Sequence, residues 1–222
     1  TSIGSYAFYS SALTEVVIPG NVESVGAMAF QNCTAMQTLK IESGVRTLGE
    51  YGFSGCAVLV DAVLSGSIET FGDYLFSECT ALESVALQEG IQRIGDDMFR
   101  GCSSLNTVRF PGTITEIGYS AFSYCTGLIE LDIPDSVTTI GSGAFLRCTS
   151  LERVKLPANL TSIASSLFND ADSLSIIEIP ASVTSIGEEA FCDCDMLKSI
   201  TIPEGVTSIG VRAFRGCYRL EY

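Results

Sequence analysis

The sequence predicts an α/β repeat solenoid, in which stacked coils carry one parallel β-sheet face and short helical or 3-10 segments opposite. Three observations predict it: a regular phenylalanine spacing, apolar and glycine positions that keep the same phase, and prolines confined to one phase. Phe8, Phe30, Phe53, Phe76, Phe99, Phe122, Phe145, Phe168, Phe191 and Phe214 are separated by 22 residues once and by 23 residues eight times. A fixed period of this length marks units that cannot bury an apolar face singly and that build a continuous core by stacking.

The other positions follow this spacing. Six residues after the phenylalanine stands Met36, then Leu59, Leu82, Leu105, Leu128, Leu151, Leu174, Leu197 and Leu220. Three residues after it stands Cys33, Cys56, Cys79, Cys102, Cys125, Cys148, Cys194 or Cys217, with Ala171 as the exception. Four residues before it stands a glycine (Gly26, Gly49, Gly72, Gly95, Gly118, Gly141, Gly187 and Gly210 among them), with Ala164 as the exception. All six prolines share one phase: Pro19, Pro111, Pro134, Pro157, Pro180 and Pro203.

The repeat 128–148 shows the local logic. Leu131 and Ile133 alternate and so point to one face of a short strand. Pro134 lacks a backbone donor and ends it. Val137 and Ile140 cover a turn, and Gly141 offers backbone free of Cβ. Ile140, Ala144, Phe145 and Cys148 then recur at steps that place them on one face of a helical turn or two. Stacked strands must run parallel at about 4.8 Å, so about ten coils form a rod or shallow arc roughly 45 Å long. Residues 1–222 are expected to form a single solenoid, and an opening in mid-pattern reads as a fragment of a longer protein.

Composition limits the function classes. Apolar residues make up 46% and charged residues 17%, enough for a core and unlike a disordered chain. The net charge of −14 is even: residues 1–111 carry 12 acids and 5 bases, residues 112–222 carry 14 and 7, so each half sums to −7. Without a basic stripe, neither nucleic acid nor an anionic membrane surface is an expected partner. No apolar run approaches the roughly 18 residues of a membrane span, so this segment is not expected to insert.

The pattern F-x-x-C-x-x-L-x-x-[IVL]-x-[IL]-P-x-x-[VIL]-x-x-I-G-x-x-A resembles the BspA-type leucine-rich repeats of bacterial and protozoan surface proteins. FSYCTGLIELDIPDSVTTIGSGAF (122–145) and FCDCDMLKSITIPEGVTSIGVRAF (191–214) carry it most fully, and the resemblance runs along the whole chain. It implies a right-handed leucine-rich-repeat stack, an extracellular or cell-surface location, and a role in adhesion to host matrix proteins or other cells. It supplies no catalytic residue. The sequence departs from the pattern at Ala62, Ser65 and Phe71, and Glu42 and Gln88 replace proline. Local irregularity is expected between about residues 56 and 72.

Chemistry-bearing residues are few. The chain has no histidine, which removes Ser/His/Asp and Cys/His arrangements and the usual zinc sites. No cofactor or catalytic residue is assigned. Eight of the nine cysteines stack in one phase. Neighbouring Cβ atoms about 4.8 Å apart are too distant for the ~3.8 Å of a disulfide, so the column reads as buried, reduced thiols. Cys192 is out of phase, with an exposed reactive thiol as the alternative. Asp170, Asp172, Asp193 and Asp195 fall together on adjacent coils. They read as solvated turn acids, because Thr or Ser usually holds the phase of Asp172 and Asp195 and all three types bond nearby backbone N–H groups; calcium is the alternative. No metal ligand is assigned.

The expected binding surface is the outward sheet face, whose columns vary while the framework repeats. Its sharpest feature is the run Arg109, Glu130, Asp132, Arg153, Lys155 and Glu178, opposite charges on neighbouring strands. These either pair with one another or form a specific patch. The expected function is a non-enzymatic, monomeric module that binds a protein or glycan, with a ligand-free structural spacer as the alternative.

Overall fold

The structure is a computed structural model describing residues 1–221. Two columns of parallel strands run along it. The first comprises β2 (Glu15–Ile18), β4 (Thr38–Ile41), β6 (Asp61–Leu64), β8 (Ser84–Leu87), β10 (Thr107–Arg109), β12 (Glu130–Asp132), β14 (Arg153–Lys155) and β16 (Ile176–Ile177). The pairings Glu15↔Thr38, Asp61↔Ser84 and Glu130↔Arg153 keep the repeat register. The second column consists of two-residue strands, from β1 (Ser2–Ile3) and β3 (Ser24–Val25) to β17 (Ser185–Ile186) and β18 (Ser208–Ile209). Alternation sets the faces: in Thr38–Ile41 the burial pattern is exposed, buried, exposed, buried.

Between the strand columns lies one core cluster containing the phenylalanine, leucine and cysteine columns. Phe30 to Phe191 are at most 2% exposed. Successive rings stack with centroids 4.9–5.7 Å apart. Each column cysteine sends its thiol to the carbonyl of the phenylalanine 25 or 26 residues earlier, as Cys125 Sγ does to Phe99 O at 3.1 Å and Cys148 Sγ to Phe122 O at 3.2 Å. From Phe30 to Phe122 that carbonyl also accepts the amide of its own repeat's cysteine, as Phe99 O does from Cys102 N–H. All nine cysteines are free thiols. Burial raises the pKa of Cys125 and pushes that of Cys148 up to about 12, so both stay protonated and inert.

The expected helical segments are absent among the described residues; turns occupy their place. The physical reason lies in two residues per coil with left-handed φ, two before and two after the phenylalanine. In the coil of Phe145 these are Gly143 (φ 64°) and Arg147 (φ 58°). They reverse the peptide direction at alternate positions. Ala144, Leu146 and Cys148 donate locally, to Gly141, Gly143 and Phe145. Gly143, Phe145 and Arg147 donate instead to Ser165, Leu167 and Asn169 of the next coil. The apolar spacing that resembles a helical face therefore comes from tight turns laced coil to coil. Glycine is not required at these positions, since Tyr51, Tyr74, Ser120 and Glu189 also hold them.

Both ladders are interrupted. The longer sheet stops at Thr107–Arg109 and restarts at Glu130–Asp132. The shorter one breaks after Thr70–Phe71 and after Thr139–Ile140. At each break stands a residue larger than its phase usually carries. Phe71 and Phe110 replace aliphatic residues and are the two phenylalanines outside the regular column. Ala164, just past the third break, adds a methyl where the other coils have glycine. That glycine phase exists because the neighbouring backbone leaves no room for a Cβ: one on Gly72 would lie 2.2 Å from Glu50 N, and one on Gly141 2.5 Å from Tyr119 N. At Gly95, directly after the Phe71 break, the nearest atom is Phe71 Cβ at 3.5 Å. Of the three breaks only the first falls in the expected window of residues 56–72, at its end, since Asp61–Leu64 itself pairs regularly on both sides; the breaks beside Phe110 and Ala164 lie outside it.

Candidate binding groove on the sheet face

A groove of about 1380 Å³ spans the break beside Phe110. Phe110 is partly buried, with its ring edge-on to Phe122 at 6.0 Å and 83°. The strands to either side no longer share a ladder. Elsewhere Asn106 N–H donates to Glu83 O and Glu152 N–H to Ile129 O, but among the described residues no bond joins Ile129 N–H to Asn106 O. Thr107 and Val108 line one wall, and Ile129, Glu130 and Leu131 the other. The floor continues over Asp132, Arg153, Lys155, Ile176 and Glu178.

Five of the six sequence-predicted residues therefore meet in one depression: Glu130, Asp132, Arg153, Lys155 and Glu178. Arg109 does not line it but follows Thr107 and Val108 on the adjoining strand, exposed. The central charges pair across strands. Arg153 Nη2 lies 2.6 Å from Glu130 Oε2, and Lys155 Nζ lies 3.0 Å from Asp132 Oδ1. The carboxylate hydrogen bond to each base raises its pKa. The outer charges differ: among the described residues neither Arg109 nor Glu178 has an ion-pair partner. Arg109 faces the break, and the nearest acid in its column, Asp132, is held by Lys155. Two aliphatic side chains are exposed in the groove, Ile129 on the wall (49% exposed) and Ile176 on the floor (63%).

The other candidates resolve differently. Cys192 is buried, not exposed, and burial first and neighbouring Asp193 next push its thiol up to about 11, so it is a poor nucleophile at neutral pH. Asp170 pairs with Arg147 at 3.0 Å, and Asp193 lies beside the Cys192 thiol. Asp172 is pushed up by burial and then by the surrounding aspartates. No group of three metal-binding side chains is gathered among the described residues. The expected turn bonding is also corrected: Thr80, Ser103 and Thr126 donate their hydroxyls to carbonyls one coil back, rather than accepting from N–H groups. A carboxylate has no proton to donate there, and Asp172 and Asp195 accept no side-chain hydrogen bond among the described residues.

Sequence reasoning missed one ionisable residue, Asp97. It is 3% exposed, occupies a left-handed position (φ 50°), and has Arg100 Nη1 3.5 Å from Oδ1. Burial raises its pKa, and its charge in turn raises that of Tyr74. The signal was available in the phase two before the phenylalanine, which reads Tyr51, Tyr74, Asp97, Ser120. A second depression of about 560 Å³ adjoins Phe71, but its arginines are taken, Arg46 by Glu69 and Arg93 by Asp96 and Glu116.

Comparison with known proteins identifies the scaffold. The family description "BspA type Leucine rich repeat region" matches residues 1–129 and 120–222, in six copies. The chain belongs to the BspA-type leucine-rich repeat family. No curated protein matches it. Among solved structures, this BspA-type chain is similar to a leucine-rich cell surface protein of Faecalibacterium prausnitzii, at 26% identity and a TM-score of 0.50, covering 100% of this chain and 82% of that one. It is also similar to the leucine-rich repeat protein of T. pallidum, at 26% identity and a TM-score of 0.57, covering 99% and 82%. The pneumococcal vaccine antigen PcpA shares the fold at 18% identity and a TM-score of 0.58, covering 100% and 66%. No helix among the described residues is long and apolar enough to cross a membrane.

Proposed function

We propose that this BspA-type chain is a non-enzymatic, cell-surface or secreted interaction module whose protein or glycan ligand docks in the groove over β10, β12, β14 and β16. The observation that carries this reading is the groove itself. It is a concave site at a point where the repeat departs from its own pattern, and it holds convergent polar groups between exposed aliphatic side chains. The surface location rests on the family and on the similar F. prausnitzii protein.

The self-paired charges Arg153–Glu130 and Lys155–Asp132 favour a second reading, a spacer with no ligand of its own. An array of matrix proteins and glycans separates the two. Probed with the chain and with an Arg109→Glu, Arg153→Glu, Lys155→Glu variant of unchanged melting temperature, it should give a signal that the variant loses. A signal equal for both removes the groove as the site, and no signal for either supports the spacer.

A further inference from the structure

We infer that the ligand of this groove is an extended peptide segment of a partner protein, carrying an acidic residue and a basic residue about four residues apart with aliphatic side chains between them. This rests on the groove being the binding site and names what it takes. The column Arg109, Asp132, Lys155, Glu178 runs along the solenoid axis. Its inner members neutralise each other at 3.0 Å, whereas its ends, one base and one acid, have no partner among the described residues. A ligand matching the groove therefore presents an acid over Arg109 and a base over Glu178. Two strand spacings of about 4.8 Å and the wider gap at the break between β10 and β12 separate these ends, and an extended chain covers that span in at least about four residues at ~3.3 Å each.

The surroundings favour peptide over glycan. Among the described residues no aromatic ring lines the groove, so they offer no platform for a sugar face. Ile176 projects from the floor beside the charged column and Ile129 from the wall, both suited to aliphatic side chains of a protein ligand. The Phe110 break also leaves the Ile129 amide without its usual ladder partner, a donor that a peptide carbonyl can use.

The test is selection of a displayed random 12-residue peptide library on the immobilised chain, with a glycan array run in parallel. Enriched peptides should share the acid–base spacing. They should lose about tenfold or more in affinity to Arg109→Glu or Glu178→Lys, because reversal puts like charges together. Replacing the peptide's acid by lysine should restore binding to Arg109→Glu. Peptides that lose affinity to Ile176→Asp but not to the two charge reversals overturn the spaced-charge ligand while leaving the groove as the site. Glycans that bind in an Ile176-dependent way overturn the peptide class. Binders indifferent to all three substitutions, or no binders at all, overturn the groove as well.

Discussion

Gly72 and Gly95 occupy the same phase in adjacent coils, yet the structure predicts opposite outcomes for the same substitution. In Gly72→Ala the new methyl would sit 2.2 Å from Glu50 N and 2.5 Å from Gly49 C, both backbone atoms that a rotamer change cannot move. The coils must separate, as they do beside Ala164. Overpacking of this kind costs about 1–3 kcal/mol, and for a chain of this size each kcal/mol lowers Tm by about 2–4 °C. In Gly95→Ala the methyl meets Phe71 Cβ at 3.5 Å, an ordinary contact, at a residue without positive φ. Reduced freedom of the unfolded chain then leaves the protein unchanged or more stable by about 0.4–1 kcal/mol. Thermal unfolding followed by far-UV circular dichroism measures both. Fluorescence of the eight tyrosines is the second probe, since the chain has no tryptophan, and coincident transitions establish that the comparison is two-state. Equal losses in the two variants would refute the idea that Phe71 opens the stack.

Other consequences follow from the same packing. Phe122→Ala removes a fully buried ring held between Phe99 at 5.2 Å and Phe145 at 5.7 Å, and should cost about 3–5 kcal/mol in denaturant unfolding. A near-neutral result would mean that the column is not core. Ala171→Cys gives Phe145 O the thiol donor that other coils provide and should stabilise by about 0.5–1 kcal/mol; destabilisation would show that this coil has no room for sulfur. Asp97→Asn should raise Tm at neutral pH and leave it unchanged below the ordinary carboxylate range. Because burial raises the folded-state pKa of Asp97, the native protein holds this proton more tightly than the unfolded chain does. Stability is therefore lost as pH rises from the unfolded value towards the folded one, and asparagine removes that loss. A Tm difference independent of pH would assign the effect to something other than this charge.

Much of this fold is legible in the sequence because stacking imposes one residue type on each buried phase. The phenylalanine, leucine and cysteine columns and the parallel register all follow from the period. The turn region opposite the longer sheet does not, since Ile140, Ala144, Phe145 and Cys148 suit a helical face and a laced turn equally well. The distinguishing left-handed residues are of many types, from Tyr51 to Glu189. The site was half legible. Alternation put Glu130, Asp132, Arg153 and Lys155 on the outward face, but nothing local announces the opening beside them. That depends on how much space one ring at position 110 takes in a stack of aliphatic neighbours. The third break, at Ala164, was visible only as an exception to the glycine phase.

Phe110→Ile tests the central claim most directly. It restores the residue type found at Ile18, Ile41, Ile133 and Ile179 while keeping the position apolar. If Phe110 holds the groove open, the variant should protect the amides of residues 129–132 from hydrogen exchange as the ladder closes. Affinity for the library-selected peptide should fall together with that protection. Closure of the ladder with affinity unchanged would contradict the account, because the ligand would then be bound somewhere other than the groove.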